Sequence, residues 1–555
     1  MLAALVGLGA CHQDGSASKG TGGSGGNPPA SSGGSGAGSG GVAGTGGGIG
    51  TGIGSSGGSG SPAGHAGGGT GGAATGGAMP GTGGAPSGSG GASTSGSGGG
   101  IAPGSGGLGD GAGGAGSGGV PGTGGIAMTT HPVVELDRTD QTMDGFGIGD
   151  FFSYSALSDY QADQLFDPSR GIGLSILRVA MGTDGNAFSG TAYSDIMKAQ
   201  ARGVQTFIGT VLTAPARCKD NSNVNDGGHL LTSCYDSWSD TIAAFPGVIK
   251  KNTGVDLYGM SPADQPDFAS CGTTPPCNGD FPTMLYTATE LTNFMDVVGP
   301  KLHAASPNIK VLSPETAEWL HLWTNDSAPG STDPLKGTGY DYGHALYQDA
   351  QAWAQVDVVA TEQYDTQTAE PWPSGVPTKP LWMTEMSGIK YWPEAGPTSD
   401  MANGVAVAGW IHDAIVNGMA SAWLYFEYQA LNTDDNEGLI LKDGTQTKRF
   451  FTLGNFSKFI RPGYTRVDVF GDIPPDVLLS AYKGADGTVV LVAINKGSAA
   501  VTVPITFEGG TAPASLMPWL TSSTDDLAEK TTLQVTASGF TATLAPATVT
   551  TFVGK

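Results

Sequence analysis

Between Gly145 and Phe426, eight short apolar runs alternate with helical stretches, and few folds accept that pattern. The runs are Gly145–Phe152, Leu174–Met181, Thr206–Leu212, Asp256–Ser261, Ile309–Leu312, Val356–Ala360, Leu381–Met386 and Ala422–Phe426. Each is bounded by turn residues and apolar on both faces, as buried parallel strands are. Two of the intervening segments are clear helices. Thr287-Ala288-Thr289-Glu290 forms a capping box, and Leu291, Phe294, Met295, Val298 and Leu302 then share one stripe. Val405–Val416 is a second helix with an apolar face, ending near Asn417-Gly418. Eight strands with connecting helices predict a (β/α)8 TIM barrel. An open doubly wound sheet is the alternative, but no glycine-rich phosphate loop follows the first strand.

After Pro462 the period changes. Val477–Tyr482 and Val489–Ile494 alternate like strands around Asp486-Gly487, a hairpin turn signal. Val501–Phe507, Thr532–Val535 and Thr548–Val553 follow without a helical period, which predicts an appended antiparallel β-sandwich. The segment 133–143, with its apolar Val133–Leu136, is a candidate to complete it. The domains expected are a leader over residues 1–11, a linker over 12–127, a barrel over 128–462 and a sandwich side domain over 463–555.

Most of the 95 glycines precede the barrel. From Gly15 to Gly125 the chain is Gly, Ser, Ala and Thr with scattered proline, and it carries too little apolar surface to offset chain entropy. It is expected to be a disordered tether. Ahead of it, Leu8-Gly9-Ala10-Cys11 is similar to a bacterial lipobox, which would make Cys11 a lipidation site. The expected location is extracytoplasmic, either lipid-anchored at the cell surface or secreted. No run is long and apolar enough to span a membrane. In that compartment Cys218, Cys234, Cys271 and Cys277 read as disulfides, with local pairing 218–234 and 271–277 favoured among three connectivities. Their spacing does not suit a zinc finger. A net charge of -24 argues against nucleic acid or an anionic membrane surface as partner.

In such barrels the active site lies at the C-terminal ends of the strands. Polar residues expected there are Arg178, Asp264, Gln265, Asp267, Glu315, Glu362, Tyr364, Glu385 and Glu427, with Trp382, Trp423, Phe426 and Tyr428 nearby. A carboxylate-rich mouth with aromatic residues suits a sugar.

At these positions the chain resembles glycoside hydrolase family 30, within the clan of retaining barrel β-glycosidases. Asp144-Gly145-Phe146-Gly147, Gly173-Leu174-Ser175-Ile176-Leu177-Arg178-Val179 and Leu212-Thr213-Ala214-Pro215-Ala216 resemble its opening motif, its second strand and its third-strand loop. Leu381-Trp382-Met383-Thr384-Glu385-Met386-Ser387 is similar to its nucleophile strand, and Pro518-Trp519-Leu520-Thr521-Ser522 to its side domain. The resemblance implies a double displacement with Glu385 as nucleophile, held by Arg178 and Tyr364. Substrate contacts are expected from Trp382, Trp423, Asp267 and Glu427. No metal and no cofactor is implied, and the expected partner is a β-linked polysaccharide or glycoconjugate bound by a monomer.

One position departs. The family carries Asn-Glu-Pro after its fourth strand, with the glutamate as acid/base; here Asp264-Gln265-Pro266 stands there. An amide cannot supply a proton as an acid. Three readings stay open. Another carboxylate has taken over, with Glu362 foremost and Asp264, Asp267 and Glu427 behind it. The substrate needs no acid, or sugar is transferred to another acceptor. Or the protein binds carbohydrate without cutting it. A surface-structural role dominated by the tether is a further, weaker reading. Asp264 beside Glu385 is also expected to hold a proton, since two close carboxylates do not both ionise cheaply.

Overall fold

The computed structural model describes residues 130–151, 155–269, 282–325, 339–364, 368–387, 401–429, 437–441 and 443–555. The leader with Cys11, the linker, and Cys271 with Cys277 lie outside the described residues.

Strand β1 (Val133–Thr142) precedes the barrel. The barrel strands are β2 (Gly145–Asp150), β3 (Ile176–Met181), β4 (Thr206–Val211), β5 (Gly259–Ser261), β6 (Lys310–Thr316), β7 (Val358–Thr361), β8 (Leu381–Met383) and β9 (Ala422–Tyr425). Each pairs in parallel with the next, and β9 closes on β2. All eight expected strands are present, most of them shorter than expected and β6 longer.

Side-chain alternation divides each strand between two environments. On β3, Leu177, Val179 and Met181 face the helical layer, while Ile176 joins the lumen. Ile208, Leu312, Val358, Ala360, Trp382, Ala422 and Leu424 fill that lumen with it. Arg178 is the next inward position above Ile176. The glycines of β2 permit this closure. A Cβ on Gly147 would lie 2.7 Å from Ile176 and 2.9 Å from Leu424, and one on Gly149 would collide with the Phe426 carbonyl.

The capping box at Thr287 forms as expected: Thr287 Oγ1 accepts from the Glu290 amide at 3.2 Å, and Glu290 Oε2 accepts from the Thr287 amide at 2.7 Å. Helix Ala288–Ala305 buries Leu291, Phe294, Met295, Val298 and Leu302. Helix Met401–Val416 starts earlier than its expected span. No described helix is long and apolar enough to cross a membrane.

After the barrel come a short ribbon, β10 (Glu427–Gln429) with β11 (Gly438–Ile440), and helix Lys448–Ser457. The side domain holds β12 (Thr465–Phe470), β13 (Val477–Lys483), β14 (Val489–Asn495), β15 (Val501–Glu508) and β16 (Ser515–Thr521). It ends with β17 (Ala528–Glu529), β18 (Leu533–Gln534), β19 (Gly539–Leu544) and β20 (Thr548–Gly554). The β13–β14 hairpin turns at Gly487, whose φ of 86° a residue with a side chain rarely adopts.

β1 does join this sheet, antiparallel to β12 and parallel to β15. Strands β12, β16 and β19 are additional to those expected, although β19 alternates Phe540, Ala542 and Leu544 inward. In β12 a buried Arg466 interrupts the apolar pattern; it pairs with Asp140 at 3.0 Å and Gln141 at 2.9 Å.

β14 ties barrel and sandwich together. Val489, Leu491 and Ala493 enter the sandwich core, while Val490, Val492 and Ile494 enter the barrel's outer core. The two domains form one compact unit.

A disulfide joins Cys218 to Cys234, 16 residues apart, in the segment that follows β4. Replacing both (Cys218→Ser with Cys234→Ser) should cost about 3 kcal/mol, the chain-entropy value for a loop of roughly 15 residues. Urea unfolding of the variant against the parent, without reductant, measures it.

Candidate active site

Arg178 organises the upper end of the barrel. Its side chain is fully buried, and its guanidinium carbon lies 4.7 Å from the centre of the Phe151 ring. Such a group requires anionic partners, and four strand ends supply them. Nη1 donates to Glu385 Oε2 at 2.6 Å. Nη2 donates to Asp264 Oδ1 and lies 3.1 Å from Glu315 Oε1 and 3.6 Å from Glu362 Oε1. Thr210, inward on β4, donates to Glu315 Oε2 at 2.6 Å.

Glu385 is held from a second side by Tyr364, whose hydroxyl donates to Oε1 at 3.0 Å. Gln265 bridges the remaining carboxylates. Its Nε2 donates to Glu362 Oε2 at 2.5 Å and to Glu385 Oε1 at 3.3 Å. Gln265 takes a left-handed backbone, φ 45°, which is uncommon for a residue with a side chain. One oxygen from each of Asp264, Glu362 and Glu385 lies within 4.8 Å of the others. These three could serve a cation as ligands, but Arg178 already places a positive charge among them.

One cation cannot neutralise four carboxylates. Burial pushes Asp264 and Glu362 well above the usual carboxylate range; Glu385 and neighbouring carboxylates add to this, and Arg178 opposes it. Burial raises Glu385 less markedly, because Arg178 and the Tyr364 hydrogen bond stabilise its anion. Burial alone would lower the Arg178 pKa, but the surrounding carboxylates outweigh it and hold the guanidinium well above its ordinary value. Burial and the nearby carboxylates also keep the Tyr364 phenol protonated, as a donor. Asp264 has the most exposed side chain of the four carboxylates at 10%, against 6% for Glu385 and none for Glu315 and Glu362. Access from solvent is therefore on the Asp264 and Glu385 side.

The structure thus brings together Arg178, Asp264, Gln265, Glu362, Tyr364 and Glu385. Other candidates lie elsewhere. Asp267 accepts from the amides of Ala317 and Glu318 and pairs with His321 at 2.7 Å, so it ties the ends of β5 and β6 together. Trp382 is fully buried in the lumen, stacked on Tyr258 and bonded to Asp144. Trp423 faces the helical layer, with its indole NH donating to Gln363. Glu427 is buried on β10 and bonds the Gln429 amide at 3.5 Å. Aromatic identity near a strand end did not reveal which face each ring takes. Thr210 was missed, although its two-residue offset from the inward Ile208 signals its direction.

A closed eight-stranded barrel, a carboxylate cluster at its strand ends and a side sandwich built from both flanks define a barrel glycoside hydrolase. The model of the glycosyl hydrolase family 30 beta sandwich domain matches residues 463–552. A glucuronoxylanase, XynC, of Bacillus subtilis is 29% identical over 462 residues, covering 78% of this chain and 94% of that protein. A family 30 subfamily 8 xylanase from Clostridium acetobutylicum superposes with a TM-score of 0.63 at 25% identity, over 77% of this chain and 100% of that one. A family 30 endoxylanase from Clostridium papyrosolvens gives a TM-score of 0.60 at 27% identity, over 77% and 100%. Similarity to glycoside hydrolase family 30 thus runs through both the barrel and the side domain.

Arg178→Met would leave four buried carboxylates without a cation, a loss of about 3–5 kcal/mol near neutral pH. Carboxyls whose pKa is raised by folding bind protons more tightly folded than unfolded. Their stabilising contribution is complete at low pH and is lost as pH rises. The deficit should therefore shrink between about pH 7 and about pH 4. Urea unfolding of both proteins at each pH checks this.

Proposed function

We propose that this protein is an extracytoplasmic retaining β-glycosidase acting on a β-linked polysaccharide of the xylan type, with Glu385 as nucleophile and Glu362 in place of the missing acid/base glutamate. The separation of Glu385 and Glu362 carries this reading. Their oxygens lie within 4.8 Å. Double displacement uses carboxyls about 5–5.5 Å apart, whereas inversion needs about 6.5–9.5 Å to admit water. The xylan-active relatives support the substrate class. The Cys218–Cys234 disulfide supports an oxidising compartment.

The assignment of the proton follows from the arrangement around Arg178. Of the four carboxylates, Glu362 lies farthest from the guanidinium, and its pKa is pushed well above the ordinary value. It is the carboxyl best placed to stay protonated. Glu385, anionic against Arg178 and Tyr364, attacks the anomeric carbon. The glycosidic C–O bond breaks as the Glu362 proton passes to the leaving oxygen. Water then enters, Glu362 takes its proton, and the oxygen displaces Glu385. Because Glu362 is covered in the unliganded protein, Gln265 must swing aside for donation. Asp264, which shares Arg178 with Glu385, would bind the sugar hydroxyl next to the anomeric carbon.

The covering of Glu362 and the amide at Gln265 favour a second reading, a carbohydrate-binding protein on the same scaffold. Kinetics separate the two. Glu385→Gln should abolish turnover. Glu362→Gln should lower kcat on polysaccharide by about 10²–10⁴. On an aryl β-xyloside the loss should be far smaller, with azide capturing the glycosyl group. The same pattern in Asp264→Asn instead would move the acid to Asp264. A wild-type protein inert on the aryl substrate that still binds polysaccharide would be the binding protein.

A further inference from the structure

The loops after the first and eighth barrel strands enclose a cavity of about 300 Å³ that the proposed reaction does not use. It lies on the catalytic face. Helix Asp159–Phe166 follows β2 and helix Lys448–Ser457 follows β11; the lining residues lie along the first helix and at its cap, on β10 and β11, and in the turn before the second helix. Two segments far apart in sequence converge on it: Tyr160, Gln161 and Gln164 from one, Gln429, Asp443 and Gln446 from the other.

Four of the nine lining residues are primary amides, and no described lining residue is basic. Hydrogen bonds fix two amides: Gln161 Oε1 accepts from the Ser158 amide at 2.9 Å, and Gln164 Oε1 accepts from Gln446 Nε2 at 2.6 Å. That leaves Gln161 Nε2 to donate and Gln446 Oε1 to accept. The Gln429 side-chain amide has no partner among the described residues. Beside them the Tyr160 ring is 67% exposed, the most exposed large apolar side chain described. An aromatic face left in water next to oriented amides suits a ligand with flat apolar faces and many hydroxyls.

We infer that this cavity is a second saccharide site, outlying the catalytic cluster, which holds a further stretch of the polysaccharide through Tyr160, Gln429 and the amides of Gln161 and Gln446. The inference rests on the carbohydrate reading above, but not on turnover.

The test uses the full chain carrying Glu385→Gln, so that no probe is consumed. It is run in native gels containing soluble glucuronoxylan, β-1,6-glucan or β-1,4-galactan. Adding Tyr160→Ala and Gln429→Ala should raise the apparent Kd for the retained polymer by roughly 5–10-fold. Tyr160→Phe, which keeps the ring, should stay within about twofold of the parent. Binding at the catalytic cluster persists in every chain, so the loss reads the second site alone. A thermal midpoint equal to the parent's shows that the variant is folded. Unaltered retention in the folded double variant overturns the inference, and so does a parent retained by none of the polymers. If the wild-type protein fails on the aryl β-xyloside but the double variant loses retention, the hydrolase reading falls and the second site stands.

Discussion

A buried guanidinium facing four carboxylates is the interaction on which the rest of the site depends. Arg178 has no water to solvate it, so it must be met by anions. Asp264, Glu315, Glu362 and Glu385 come from four different strand ends, and only a closed barrel brings these to one point. Since one positive charge serves four acids, protons must be shared among them. Burial, with the neighbouring carboxylates adding to it, pushes Asp264 and Glu362 well upward and raises Glu385 less markedly. Asp264, Glu362 and Glu385 each bring an oxygen within 4.8 Å of the others, the closeness on which the proposed double displacement rests.

The barrel does not stand alone. The outward faces of β13, β14 and β20 present Tyr482, Val490, Val492, Ile494 and Val549 to the barrel's helical layer. Asn455, on the last barrel helix, donates to the Trp519 carbonyl and to Thr551 across the same boundary. The sandwich therefore buttresses the side of the barrel where β9 closes on β2. It draws its first strand from ahead of the barrel and the rest from behind it. Both ends of the barrel segment are fixed to one sheet.

Much of this was legible before folding. The eight barrel strands, the capping box at Thr287, the β13–β14 hairpin and the membership of β1 all follow from period, turn chemistry and apolar runs. Arg178, Gln265, Tyr364 and Glu385 were found because strand ends in a barrel converge. What failed was direction. Trp382 and Trp423 lie on neighbouring strands near Glu385, yet one fills the lumen and the other the helical layer. Asp267 is only two residues from Gln265 but turns away to hold His321. β12 escaped notice because its buried Arg466 finds partners, Asp140 and Gln141, that are distant in sequence.

By itself the sequence determined the class of fold and the presence of an amide, Gln265, between Asp264 and Pro266 at a strand end. Strand spacing and residue identity are local properties, readable one segment at a time. Only the tertiary structure decided that Glu362 and Asp264 share Arg178 with Glu385, and that Gln265 bridges Glu362 to Glu385. The charge state of each group depends on its burial and on charges brought in from other strands, and neither quantity exists until the barrel closes.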